Sequence, residues 1–150
     1  MTNAQKISPT ISVKNPAASC DFYIKHFDAK IKFDCGWYIT VVVGDCELCF
    51  IKPQTPEQPM FDGKGLMYSF EIEDVEAEYS RLSELGVTVV MPLEDHPWGD
   101  RGFGMIDPHG IILYFYKPIE PAEEFKQYYK KSYNQPIQRT AKNVAADFWR

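Results

Sequence analysis

Glu47 is the residue whose type and place first suggest chemistry. It is a lone carboxylate inside a segment, 46–52, that otherwise reads as strand. There it could act as a general base, a lone metal ligand or the counter-ion of a cationic ligand, or it could be an edge glutamate facing water. It lies within Cys46-Glu47-Leu48-Cys49, the spacing of a CxxC redox or zinc motif. In a strand that spacing sends the two thiols to opposite faces. The four cysteines (Cys20, Cys35, Cys46 and Cys49) therefore read as buried, reduced thiols. Arg101 beside Asp100 could hold a ligand carboxylate or tie the preceding Pro97-Trp98-Gly99 turn to the body. Of the three histidines, His26, His96 and His109, His96 could shuttle protons near neutral pH or be an exposed loop residue. No Ser/His/Asp or Cys/His set has local support, and no glycine-rich phosphate loop occurs.

The elements that must position these residues follow from periodicity and breakers. Residues 94–118 read as loop, strand, tight turn and strand. Asp107-Pro108-His109-Gly110 has the residue types of a type I turn, and 111–117 is dense in β-branched and aromatic side chains. Upstream, residues 7–13 alternate as a strand, and Asn15-Pro16 opens a helix over 17–27. Residues 29–33, 37–43 and 46–52 read as three strands, and Pro53 stops the last. The Pro/Gly-rich stretch 54–65 is a linker. Residues 66–72 form a strand, 75–85 a helix closed by Gly86, and 87–91 another strand.

This is one unit written twice. Ile11–Asn15 lines up with Phe70–Asp74 fifty-nine positions on, and Leu48–Pro53 lines up with Leu113–Pro118 sixty-five positions on. The six extra residues of the second copy fall around Glu94–Asp100. The order strand, helix, strand, strand, strand occurs twice, so the expected class is α+β, with two βαβββ modules forming a cupped mixed sheet and helices outside. The modules span 7–53 and 66–118 within a single domain 1–118, followed by a C-terminal extension, 119–150. That extension is expected to hold helices over 122–133 and 141–149.

Charge narrows the partners. The formal net charge is -5; residues 1–118 carry 10 Lys/Arg against 17 Asp/Glu, and residues 119–150 carry 6 against 4. An acidic body argues against nucleic acid and favours neutral or cationic ligands. No apolar run reaches the ~18 residues of a membrane span, and MTNAQKISPT lacks a signal-peptide core, so the expected location is the cytoplasm.

The duplicated pattern resembles the vicinal oxygen chelate superfamily, which holds glyoxalase I, extradiol dioxygenases, fosfomycin resistance enzymes and bleomycin resistance proteins. The stretches SVKNPAASCDFYIKHF, CELCFIKP, SFEIEDVEAEYSRLSELG and PWGDRGFGMIDPHGIILYFYKP carry the likeness, over residues 7–118. The resemblance implies metal-ligand positions on inward strand faces, and these fall at Ser8, Met67, Tyr114 and, by internal symmetry, Cys49 with Glu47 nearby. Ser, Met and Tyr are poor ligands for a divalent ion. The resemblance then implies a cavity lined by Thr10, Glu47, Cys49, Met67, Ser69, Ile112, Tyr114 and Tyr116. Trp37, Tyr38, Trp98, Arg101 and Phe103 complete the candidate ligand-binding set. The leading expectation is a metal-independent, bleomycin-resistance-like homodimer that sequesters a small ligand, with no cofactor and no assigned catalytic residue. The alternatives are a metal-dependent lyase or dioxygenase, and a structural protein whose cavity is filled by its own core.

Overall fold

The computed structural model describes residues 2–130. Within them the chain divides into two compact units. The first holds β1 (Thr10–Ser12), α1 (Pro16–Phe27), β2 (Lys30–Asp34), β3 (Tyr38–Val43) and β4 (Cys46–Ile51). The second holds β5 (Met67–Glu71), α2 (Val75–Glu84), β6 (Val89–His96), β7 (Asp100–Ile106) and β8 (Ile112–Pro118), with a short α3 (Glu123–Lys126) after them. Hydrogen bonding gives one four-stranded mixed sheet per repeat, ordered β1-β4-β3-β2 and β5-β8-β7-β6. In each, the first and last strands of the repeat run parallel and the rest antiparallel. The repeat read from the sequence is thus repeated in strand order and direction.

The helices begin as their sequences dictate. Asn15 Oδ1 accepts from Ala18 N at 3.1 Å, and Pro16 opens the helix without needing a donor. Asp74 Oδ1 accepts from Ala77 N at 2.9 Å at the matching place in the second repeat. Each helix covers one face of its sheet. In the first unit Tyr23 of α1 meets Phe50 with ring centroids 5.6 Å apart, and Ile39, Val41 and Leu48 share that buried face. In the second, Tyr79 of α2 meets Phe103 at 5.2 Å, and Phe103 stacks on Phe115 at 5.3 Å. A fully buried side chain of this size contributes ~1.5–3 kcal/mol, so these faces dominate the stability of each unit.

The turn that joins β7 to β8 clusters with the first unit. It closes as the sequence expects, with Gly110 N bonded to Asp107 O at 3.1 Å. The buried Asp107 carboxylate accepts from His109 N, Ile111 N and the Tyr23 hydroxyl at 2.8, 2.9 and 2.8 Å. Ser19 Oγ lies 2.6 Å from His109 Nε2. These bonds give His109 a structural setting on α1.

Several boundaries differ from the sequence reading. The first strand spans only Thr10–Ser12, and Ile7 is exposed. β6 runs on to His96, past the expected end at 91. Pro92 is tolerated because β6 is an edge strand and the register shifts between Met91 and Glu94. The 122–133 helix is short, since only Glu123–Lys126 is helical among the described residues. The second expected helix, 141–149, lies outside the described residues. Cys20 and Cys49 are buried thiols, whereas Cys35 and Cys46 are exposed. No helix among the described residues is long and apolar enough to cross a membrane.

Candidate functional site

On the sheet face turned away from α2, four positions of β7 and β8 make one arrangement. The register pairs Gly102 with Tyr116 and Gly104 with Tyr114, so both tyrosines and both glycines share this face. A Cβ at Gly102 would lie 2.7 Å from Tyr114 Cζ and 2.6 Å from Phe115 O. A bare Cα therefore lets the Tyr114 ring lie across the strand. Tyr114 is 6% exposed and stacks on Tyr116 with centroids 6.0 Å apart and planes 14° apart.

The Tyr114 hydroxyl reaches the β6–β7 hairpin. It donates to Asp100 Oδ1 at 2.7 Å. The same oxygen lies 2.8 Å from His96 Nδ1, and Asp100 Oδ2 accepts from Trp98 Nε1 at 2.8 Å. One carboxylate thus gathers the Tyr114 hydroxyl, the Trp98 indole and the His96 ring. His96 Nδ1 also lies 3.1 Å from the Tyr114 hydroxyl, and its Nε2 lies 3.3 Å from Glu94 Oε1. Trp98 lies flat on His96, with centroids 4.4 Å apart and planes 6° apart, yet is itself 46% exposed. Burial, followed by the bond to Asp100 and its charge, pushes the Tyr114 phenol well above the ordinary range. Burial, then the charges of Glu71 and Asp100, raises Tyr116 in the same direction.

The turn that carries Trp98 is clamped by the chain that follows β8. Gly99, with φ 113°, takes a conformation side chains avoid, and a Cβ there would sit 2.8 Å from the Tyr129 hydroxyl and 2.9 Å from Pro121 Cγ. Ile119 N bonds Gly99 O at 3.0 Å, Ala122 N bonds Pro97 O at 2.8 Å, and the Tyr129 hydroxyl donates to Trp98 O. Residues 119–129 are thus a support for the Trp98–His96 stack.

The other sequence candidates lie elsewhere. Phe103 sits on the opposite face, wholly buried between Phe115 and Tyr79, because register alternates faces at each residue. Arg101 is taken up by Glu76 Oε1 at 2.7 Å and Asp95 Oδ1 at 3.0 Å, so it ties the hairpin to α2. Met67, at the start of β5, is 49% exposed. In the first unit, Thr10, Tyr38, Thr40, Glu47 and Cys49 share the face away from α1. Glu47 Oε1 pairs with Lys6 at 2.7 Å and with Lys32, while Oε2 accepts from Ser8 at 3.4 Å. Those hydrogen bonds, from Lys32 first and then Lys6, hold its carboxyl down to about 2. A carboxylate with two ammonium partners is a weak base. Cys49 is buried 3.5 Å from Thr40 Oγ1, and Tyr38 contacts Thr10, Phe33 and the exposed Trp37.

Sequence reasoning underrated His96 and Asp100. In the sequence His96 reads as a loop residue and Asp100 only as the neighbour of Arg101, whereas they end β6 and begin β7. The signal was the three-residue connection Pro97-Trp98-Gly99, which sets His96 opposite Asp100 in register. At the positions implied for metal ligands, Ser8 touches a glutamate already paired with two lysines, Met67 is a thioether and Tyr114 is a protonated phenol committed to Asp100. These donors do not fit a divalent cation. Among the described residues no group of three or more His, Cys, Asp and Glu side chains is arranged to hold one.

Comparison with known proteins places this geometry. An uncharacterized protein of Mycobacterium bovis is 33% identical over 119 residues, covering 69% of this chain and 77% of its own length. The crystal structure of TnmS3, an antibiotic binding protein from Streptomyces sp. CB03234, is similar with a TM-score of 0.63 and 25% identity, over 79% of this chain and 98% of that one. A glyoxalase/bleomycin resistance protein/dioxygenase superfamily member from Sphaerobacter thermophilus is 28% identical with a TM-score of 0.62, over 76% and 97%. Residues 7–115 match the model of that superfamily, and the chain belongs to the Glyoxalase/Bleomycin resistance protein/Dioxygenase superfamily.

Proposed function

We propose that this chain is a small-molecule-binding protein that works without a metal and holds a planar, neutral or cationic ligand. The ligand lies against Tyr114, Tyr116 and Trp98 on the β7–β8 face. The observation that carries this reading is Tyr114 itself. It stands four residues after Gly110, where the resembled metalloenzymes carry an acidic ligand. Here the position is a phenol kept protonated and bonded to Asp100. Stacked rings beside carboxylates suit a flat, electron-poor or cationic molecule. The likeness to TnmS3, described as an antibiotic binding protein, supports the same class.

We further take the protein to act as a homodimer in the cytoplasm. Ile31 and Phe33 on the edge strand β2, with Trp37 beside it, are each about half exposed, an apolar surface that a second copy would cover. Light scattering at high concentration that returned only the 17.3 kDa monomer would contradict this.

A thermal-shift screen of planar aromatic compounds, neutral and cationic, in EDTA buffer tests the ligand reading. A true ligand at ~100 times its Kd adds ~2.7 kcal/mol of stability. The shift should vanish in Trp98→Ala and Tyr116→Ala. Stabilisation that appeared only after a divalent metal was added would favour a metal-dependent lyase or dioxygenase instead.

A further inference from the structure

The duplication offers an internal control for charge. At one end of the second sheet Lys117 bonds Glu76 Oε2 at 3.3 Å, and Glu76 also holds Arg101 at 2.7 Å. Every cation in that corner has a carboxylate. The first repeat has the same corner with different residues. Lys52 occupies the place of Lys117, sixty-five positions earlier, and Lys14 that of Glu73, fifty-nine earlier. Ala17 stands where Glu76 would be. Trp37, whose carbonyl accepts from Lys52 N at 2.8 Å, stands where Arg101 would be. The acidic partner is therefore missing from the first copy, and one more cation has been added.

Lys14 and Lys52 follow the ends of β1 and β4, which run parallel, so both leave the same end of the sheet. Among the described residues neither makes an ion pair. Together they line a cleft of about 450 Å³ with Pro53, Gln54, Gln58 and Met60. The loop that walls it is held by its own bonds. Gln58 N donates to Thr55 O at 3.2 Å, Gln54 Nε2 donates to Lys52 O at 2.7 Å, and Phe61 N donates to Ser12 O at 2.9 Å. The volume lies within the range of small-molecule sites.

We propose that this cleft is a second binding site, for a small organic oxyanion, with the head group between Lys14 and Lys52 and an apolar body against Pro53 and Met60. Its chemistry is opposite to that of the acidic aromatic face in the second unit. An overall net charge of -5 makes an uncompensated lysine pair a local exception. Such a pair attracts an anion only over about a Debye length, so binding weakens as salt rises.

The test is a two-dimensional amide NMR titration of the full chain with phenyl phosphate, benzoate and, as the neutral control, benzyl alcohol. Saturable shifts are expected at Lys14, Lys52, Gln54 and Gln58 with the anions and not with the alcohol. The tighter of the two anions identifies the head group. Lys52→Gln should weaken binding about tenfold, the loss of one charged hydrogen bond. Ala17→Glu copies the second repeat's solution and should weaken it by a similar factor. Position 17 is exposed in the first turn of α1, where glutamate favours the helix, so this variant keeps the fold. Shifts absent from the cleft, shifts as large with benzyl alcohol, or unchanged affinity in both variants would each overturn the proposal.

Discussion

Replacing Gly102 by alanine should cost far more than an added methyl suggests, because of where Tyr114 lies. The new Cβ would sit 2.6 Å from the Phe115 carbonyl oxygen and 2.7 Å from both Cζ and the hydroxyl oxygen of Tyr114. Ordinary carbon–oxygen contacts are about 3.3–3.6 Å, so the intrusion is roughly 0.7 Å or more. The carbonyl belongs to the β7–β8 ladder, where Phe103 pairs with Phe115, and cannot retreat without disturbing it. The ring can swing aside only by leaving Asp100, whose Oδ1 it reaches at 2.7 Å. Overpacking costs about 1–3 kcal/mol, and a hydrogen bond to a charged group about 1.5–3, so the expected loss is about 2–4 kcal/mol. Urea denaturation followed by fluorescence reads this directly; with a slope of about 2 kcal/mol/M the midpoint falls by about 1–2 M. Gly104→Ala is the control, since its near neighbours at 3.0 Å are all side-chain atoms of Met91, the most adaptable of side chains. It should cost less than about 1.5 kcal/mol. In a double-mutant cycle, Tyr114→Ala should return about 1 kcal/mol or more of the Gly102→Ala penalty. A Gly102→Ala protein within about 0.5 kcal/mol of the parent would refute the placement of the ring, as would Gly104→Ala proving the costlier change.

Tyr114→Phe should cost about 1–2 kcal/mol by calorimetry, since Asp100 keeps its bonds to His96 and Trp98, whereas Tyr114→Glu should cost about 3 kcal/mol or more by setting a carboxylate beside Asp100. Equal stability of the two variants would remove the case for the Asp100 bond. Glu47 carries a pH prediction. Its folded pKa of about 2 lies below its ordinary 4.5, so the unfolded chain binds the extra proton between them and stability rises with pH there. The contribution is complete above about pH 4.5 and lost toward pH 2, so Glu47→Gln should flatten that part of an acid-denaturation curve; an unchanged curve would mean the Lys32 and Lys6 pairs are not formed in solution. Arg101→Ala removes two surface ion pairs and should lower stability by only about 1 kcal/mol in low salt, and less in high salt. A loss of ligand binding in that variant would instead assign Arg101 to the ligand.

The sequence carried the fold because its evidence was redundant. Offsets of fifty-nine and sixty-five positions relate the two repeats, each copy checks the other, and the N-caps Asn15 and Asp74 mark both helices. The site was legible where period two could be anchored. Gly110 fixes the turn, and four residues on, Tyr114 falls opposite Phe115 in face. The same period sets Phe103 with Phe115, facing α2, so parity and not aromatic type decides its place. The hairpin itself was harder to read. Pro92 argues against a strand, and only the edge position and the register shift allow β6 to continue to His96. Nor do residue types reveal that Glu47 is met by two lysines, one before β1 and one on β2. That pairing depends on which strands are neighbours, and the chain brings Lys6 to Glu47 only through the parallel pairing of β1 with β4.

A ligand on the Tyr114 face should need no metal beneath it. Metal analysis of the purified protein, joined to a titration with the best compound from the thermal-shift screen before and after dialysis against EDTA, tests it most directly. The expected result is far less than one divalent ion per chain and a Kd unchanged by the chelator, but weakened in Trp98→Ala. About one tightly held divalent ion per chain, with binding lost on chelation and restored by the metal, would contradict it.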